Sequence, residues 1–142
     1  MRFVLDASVA LSWLLEDAGA GQAYAASVFD VLGNPGAEAQ VPVTWGLELA
    51  NVIAKGEGRG ELSAGRSHAF LTSIAAAPIL CDTDTYSRSF NETLAVARRY
   101  RLSAYDASYL ELALRFALPL ATLDDDLRRA ASQAGVKLFK PK

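Results

Sequence analysis

The chain has 142 residues, 51% of them hydrophobic, and a formal net charge of −2, which suits one domain of ordinary size that buries a core without disulfide or metal staples. No apolar run approaches the ~18 residues of a membrane span. The opening MRFVLDASVALSWLLED has neither the basic leader nor the small-residue cleavage site of a secretory signal, and one cysteine, Cys81, excludes an internal disulfide.

A single domain over residues 1–142 in the cytoplasm is therefore expected, with Cys81 as a small buried hydrophobe in PILCD. A mean hydropathy of +0.15 hints at apolar surface covered by another chain. In chain order, a strand at residues 3–5 (FVL) leads to helices over 7–15 and 22–32 and a loop at GNPG (33–36). A strand at 39–43 (AQVPV) leads to a helix over 45–55, closed by GEGRG (56–60) as a loop. That glycine run follows a helix and lacks a Lys-Ser/Thr ending, which argues against a phosphate-cradling loop. Further on come a helix over 63–76, a strand at 78–80 (PIL), helices over 86–100 and 104–116, a strand at 120–122 (LAT), a helix over 125–134 and a strand at 136–139 (VKLF). This alternation predicts an α/β fold, a mostly parallel five-stranded sheet between two helical layers. No repeat or low-complexity segment interrupts it.

In such sheets ligands sit beyond the carboxyl ends of the strands, where loops and helix N-termini converge. Asp6 directly follows the first strand, Glu48 comes early in the helix after AQVPVT, Asp106 lies in the first turn of the helix opened by Ser103, and Asp124 falls just past LAT. Asp6, Asp124 and Asp125 each have an ordinary reading as helix caps. Glu48 and Asp106 are harder to dismiss. Glu48 shares a helical stripe with Trp45, Leu49 and Val52, and Asp106 with Tyr109, Leu110 and Ala113, so both carboxylates point inward and need partners.

If the four acids converge, each pair ~5 Å apart at an effective dielectric near 20 costs roughly 3 kcal/mol. A helix N-terminus offsets only about 0.3 to 1 kcal/mol. Protonation, an intruding base or a divalent cation must supply the rest. Oxygen donors without nearby His or Cys favour Mg²⁺ or Mn²⁺ over zinc, and the only histidine, His68, is far along the chain in RSHAFLTSI. Ser-His-Asp, Cys-His and His-zinc chemistry are thereby set aside. Arginines cluster at Arg98, Arg99 and Arg101 and at Arg128 and Arg129, patterns that usually mark solvated helix faces.

Taken together, VLDAS, WGLELANV, SAYDASYLELA and LATLDDDL resemble a PIN domain of the VapC type, the toxin half of toxin-antitoxin pairs. The resemblance runs nearly end to end, although residues 56–99 are only generically similar. It implies an acidic metal site of Asp6, Glu48, Asp106 and Asp124, with Asp126 as an extra member, steadied by the hydroxyls of Ser8 and Thr122. Asp125 matches nothing required. The implied activity is Mg²⁺-dependent hydrolysis of RNA phosphodiesters by metal-activated water, Mn²⁺ substituting, with Glu48 and Asp106 both open as proton acceptor or second-ion ligand. Arg98, Arg99, Arg128 and Arg129 are candidates for RNA contact. A homodimer and a VapB-like antitoxin partner are also implied.

Three other readings compete. A haloacid-dehalogenase-like phosphatase needs a second Asp where Ser8 stands, and a receiver domain needs an acidic pair at Asp6 and a Lys after the fifth strand, whereas Lys137 falls inside it. A PIN-like scaffold with an idle site, binding an antitoxin or regulatory protein through segments such as ALSWLL and AYAASVFDVL, has the same sequence pattern.

Overall fold

The computed structural model describes residues 1–15 and 19–142. Its sheet has four parallel strands, β1 (Arg2–Leu5), β2 (Glu38–Val41), β3 (Ile79–Cys81) and β4 (Leu120–Ala121), in the order β3-β2-β1-β4. Val4 pairs with both Gln40 of β2 and Leu120 of β4. Successive strand side chains point to opposite faces, yet Phe3, Val4 and Leu5 are all 0% exposed, so both faces of the sheet are covered.

The covering helices are α1 (Ala7–Leu14), α2 (Ala20–Leu32), α3 (Thr44–Gly58), α4 (Ala64–Ala76), α5 (Thr85–Arg88), α6 (Leu94–Tyr100), α7 (Ala104–Phe116) and α8 (Asp125–Ala134). Helix α1 packs against α2, α3 and α4, while α7 packs against β1, β2, β4, α6 and α8. Buried side chains from strands and helices join in one apolar core that includes Val9, Val28, Trp45, Leu110 and Leu127.

Local chemistry sets the helix ends. Ser63 and Ser103 accept hydrogen bonds from the Arg66 and Asp106 N–H groups, at 3.1 Å each, and so start α4 and α7. Gly135, at φ 77°, ends α8 in the left-handed conformation that lets the Val136 N–H reach the Ala131 carbonyl at 2.9 Å.

Four expectations need correction. The fifth strand at 136–139 is a single parallel bridge from Leu138 to Leu120. Strand β4 is only two residues long and offers its neighbour a short ladder: the Leu120 N–H donates to the Lys137 carbonyl at 2.9 Å and the Phe139 N–H to the Leu120 carbonyl at 2.8 Å, and Phe139 stacks on Phe3 with ring centroids 4.0 Å apart. The supposed loop at GEGRG is helical through Gly58. Gly56 serves a close approach there, since a Cβ on it would lie 3.2 Å from Leu62 Cβ. The helix expected over 86–100 is divided by a π-helical stretch at Ser89–Thr93. Cys81 is exposed, because β3 is an edge strand whose PILC run is packed on one side only.

Candidate active site

Beyond the carboxyl ends of β1 and β4 the acids assemble. The Asp6 backbone N–H donates to the Ala121 carbonyl at 2.9 Å, so the sheet itself fixes this residue. Asp6 occupies the N-cap position of α1 but makes no capping side-chain bond. Its Oδ2 accepts instead from Ser8 Oγ at 2.6 Å and from Thr122 Oγ1 at 2.7 Å.

The direction of those bonds follows from the backbone. The Leu123 N–H donates to Ser8 Oγ at 2.9 Å and the Asp124 N–H to Thr122 Oγ1 at 3.0 Å. Each hydroxyl accepts from the backbone and turns its single proton toward Asp6. Neither has a proton left for the other, 3.4 Å away. The turn after β4 thus orients two hydroxyls, and they orient one carboxylate.

Glu48, half-buried on α3, lies just past the first turn, and its Oε1 accepts from Tyr109 Oη at 2.9 Å. Burial pushes its pKa up to about 7, opposed by the Tyr109 bond and reinforced by the charges of Asp6 and Asp106. Asp106, in the first turn of α7, is pushed up to about 6 by burial and by the charges of Asp124 and Asp6; the Ser103 bond works against this and Asp126 adds to it. Asp6 is raised as well, by burial above all; its two hydroxyl partners oppose the rise and Asp124 adds to it. The fold therefore brings Asp6 and Asp106 within electrostatic reach of Asp124 and of each other, and Glu48 within reach of Asp6 and Asp106, with Asp126 at the margin. Among the described residues, no basic side chain pairs with Asp6, Glu48 or Asp106.

Asp124 also caps α8, accepting from the Asp126 N–H at 2.9 Å. Asp125 opens that helix exposed, and Asp126 is exposed and paired with Arg129 at 3.1 Å. Among the described residues no three Asp, Glu, His or Cys side chains, as they are placed, could hold one metal ion.

The predicted arginines separate. Arg99 and Arg129 line one pocket with Tyr100, Arg101, Asp126 and Gln133. Arg128 turns the other way, its charge acting on Tyr24, and Arg98 is exposed outside that pocket. Two features escaped the sequence reading. Tyr109 appeared there only as part of an apolar stripe, yet its hydroxyl is the partner of Glu48. Arg101 belongs to the same pocket as Arg99 and Arg129, which its place in the basic cluster had suggested only in part.

The sequence matches the PIN domain family over residues 3–133. No curated protein sequence matches it. Among solved structures, PAE2754 from Pyrobaculum aerophilum is similar with TM-score 0.67 and 21% identity, covering 92% of this chain and 79% of that one. VapBC2 from Rickettsia felis, bound to a DNA fragment from their promoter, is similar with TM-score 0.66 and 11% identity, covering 98% of each chain. A toxin-antitoxin complex from Klebsiella pneumoniae is similar with TM-score 0.60 and 18% identity, covering 99% of this chain and 98% of that one. At such identities the structural likeness establishes a common fold. The match over residues 3–133 establishes the family: this chain belongs to the PIN domain family.

Proposed function

We propose that this chain is a Mg²⁺-dependent endoribonuclease of the VapC type, the toxin of a toxin-antitoxin pair. One observation carries the reading: Asp6 is buried and Glu48 and Asp106 are half-buried, and no basic side chain among the described residues pairs with any of them. A site of this kind is at ease only with a cation or with extra protons.

The donor set fits a hard divalent ion. It is all oxygen, and the sole histidine and cysteine lie on other elements, His68 on α4 and Cys81 on β3. Asp6, Glu48, Asp106 and Asp124 would hold Mg²⁺ or Mn²⁺, with Asp126 as an outer member, after side-chain rotation from their present placement. When bound, the ion supplies Lewis-acid activation of water and neutralises charge on the phosphodiester.

The chain's own groups do the rest. Ser8 and Thr122 hold Asp6 Oδ2 by two donated protons, which fixes the carboxylate plane and leaves Oδ1 without a side-chain bond. Tyr109 holds Glu48 by Oε1, which leaves Oε2 without a side-chain bond, available as proton acceptor or as ligand to the ion.

Partners and location belong to the same proposal. A VapB-like antitoxin is supported by the toxin-antitoxin complexes among the similar structures, and an apolar groove lined by Trp13, Phe29, Phe70 and Ile74 offers it a surface. A homodimer and a cytoplasmic location complete the reading. No helix among the described residues is long and apolar enough to cross a membrane.

The direct experiment incubates purified chain with single-stranded RNA in Mg²⁺ and in EDTA, beside Asp106→Asn. Cleavage in Mg²⁺ alone, absent from the variant, supports the reading. No cleavage by the wild-type chain, together with tight antitoxin binding, would favour the idle scaffold.

A further inference from the structure

A second pocket adjoins the acids on the α8 side. Arg99 and Arg101 from the end of α6 and Arg129 from α8 line it with Tyr100, Asp126 and Gln133, around an open depression of about 410 Å³. Three guanidinium groups meet one carboxylate there, so positive charge remains after Arg129 pairs with Asp126 at 3.1 Å. Among the described residues neither Arg99 nor Arg101 has a carboxylate partner. Asp126 is common to both places, because its charge is also felt at Asp106.

Arg101 ends α6 at φ 56°, in the left-handed region that Ala117 also adopts at the end of α7 and that glycine adopts without strain. The turn itself needs only backbone, the Leu102 N–H donating to the Ala97 carbonyl at 3.0 Å. Arg99 lies over the Tyr100 ring, 5.6 Å from its centroid, which leaves a planar, weakly hydrated cation at the pocket edge.

We infer that this pocket binds a backbone phosphate of the RNA strand next to the one held at the acids, with Arg99 and Arg101 as its ligands and Arg129 as the link to Asp126. The inference rests on the nuclease reading and adds where the strand runs. Guanidinium forks match phosphate oxygens in pairs, and an aromatic ring beside them suits an unpaired strand.

The test uses the full chain and a fluorescein-labelled single-stranded oligoribonucleotide. The variants are Arg99→Ala, Arg101→Gly and the two combined, with Arg59→Ala, an exposed arginine following α3, removing charge elsewhere. In the double variant KM should rise about tenfold, more than kcat falls, and the slope of log KM against log salt should shrink by about 0.7 for each phosphate that the arginines no longer neutralise. Arg101→Gly should melt no lower than wild type, because glycine suits that backbone, and Arg59→Ala should leave KM unchanged. If the double variant keeps the wild-type KM and salt slope while Asp106→Asn is inactive, the nuclease reading stands and the pocket assignment falls. An equal loss in Arg59→Ala reduces the effect to net charge and overturns the assignment. An Asp/Glu-rich peptide bound in preference to the oligoribonucleotide, and released by the double variant, would give the pocket to a protein partner instead. A wild-type chain that neither cleaves nor binds the RNA sinks the nuclease reading and the pocket with it.

Discussion

Two carboxylates follow parallel strands in this molecule and meet opposite fates. Asp6 after β1 is 4% exposed and Asp82 after β3 is 8% exposed, so burial penalises both. Arg115 answers Asp82 with two bonds of 2.9 Å, Thr85 adds one of 3.1 Å, and the same guanidinium reaches Glu111 at 2.9 Å. Burial raises the Asp82 pKa, but the Arg115 bonds and charge outweigh it and pull the carboxyl below its ordinary range. Asp6 receives only hydroxyls and stays raised. Burial alone does not separate the two acids; the presence or absence of a counter-charge does.

The contrast can be broken from either side. The largest expected effect is on the satisfied cluster: Arg115→Ala leaves Asp82 with no basic partner and Glu111 with Arg88 alone, at 3.5 Å, both carboxylate side chains being 6% exposed, and should cost about 3–5 kcal/mol in urea denaturation. On the unsatisfied cluster, Asp106→Asn should lower RNA cleavage by at least ~100-fold, since loss of a mere outer-shell partner already costs about 10–100-fold. Its melting temperature in EDTA at neutral pH should equal or exceed that of wild type, because a repulsion is gone. Ser8→Ala removes one proton from Asp6 Oδ2 and should weaken Mg²⁺ affinity about tenfold, read from the Mg²⁺ dependence of melting.

Acidity should separate the clusters too. Glu48, pushed up to about 7 from 4.5, and Asp106, pushed up to about 6 from 3.8, keep protons in the folded chain that the unfolded chain has already lost. Metal-free stability should therefore fall as pH rises through that window, and saturating Mg²⁺ should abolish the fall. Asp82 works in the opposite sense. Its lowered pKa contributes stability above its ordinary value of 3.8 that is lost as pH falls below it. The smallest effect belongs to Ser103→Ala, which removes the α7 cap and should cost about 1 kcal/mol.

Much of this architecture was legible because its signals are local. The strand at FVL, the helix opened by Ser103 and the stripes through Glu48 and Asp106 depend on spacing and end chemistry that a window of sequence contains. Placement of the acids followed from a general rule about parallel sheets, and the structure puts Asp6, Glu48, Asp106 and Asp124 in one electrostatic neighbourhood. What escaped depends on distance in the chain. Whether Cys81 is covered depends on β3 being the sheet edge. The loss of a fifth strand depends on the length of β4, not on VKLF itself. Tyr109 meets Glu48 across 61 positions, and Arg115 meets Asp82 across 33; only the Arg115–Glu111 half of that cluster, four residues apart, had a local signature.

On the proposed function, Asp6, Glu48, Asp106 and Asp124 would act as one anionic site completed by a divalent ion. Thermal melting of the chelated chain during Mg²⁺ titration tests it most directly, with Asp6→Asn alongside. Wild type should gain stability with added ion, by about 2.7 kcal/mol at a hundred times the dissociation constant, and Asp6→Asn should stay flat. A wild-type chain whose melting does not respond to Mg²⁺, or a variant that responds equally, would contradict it.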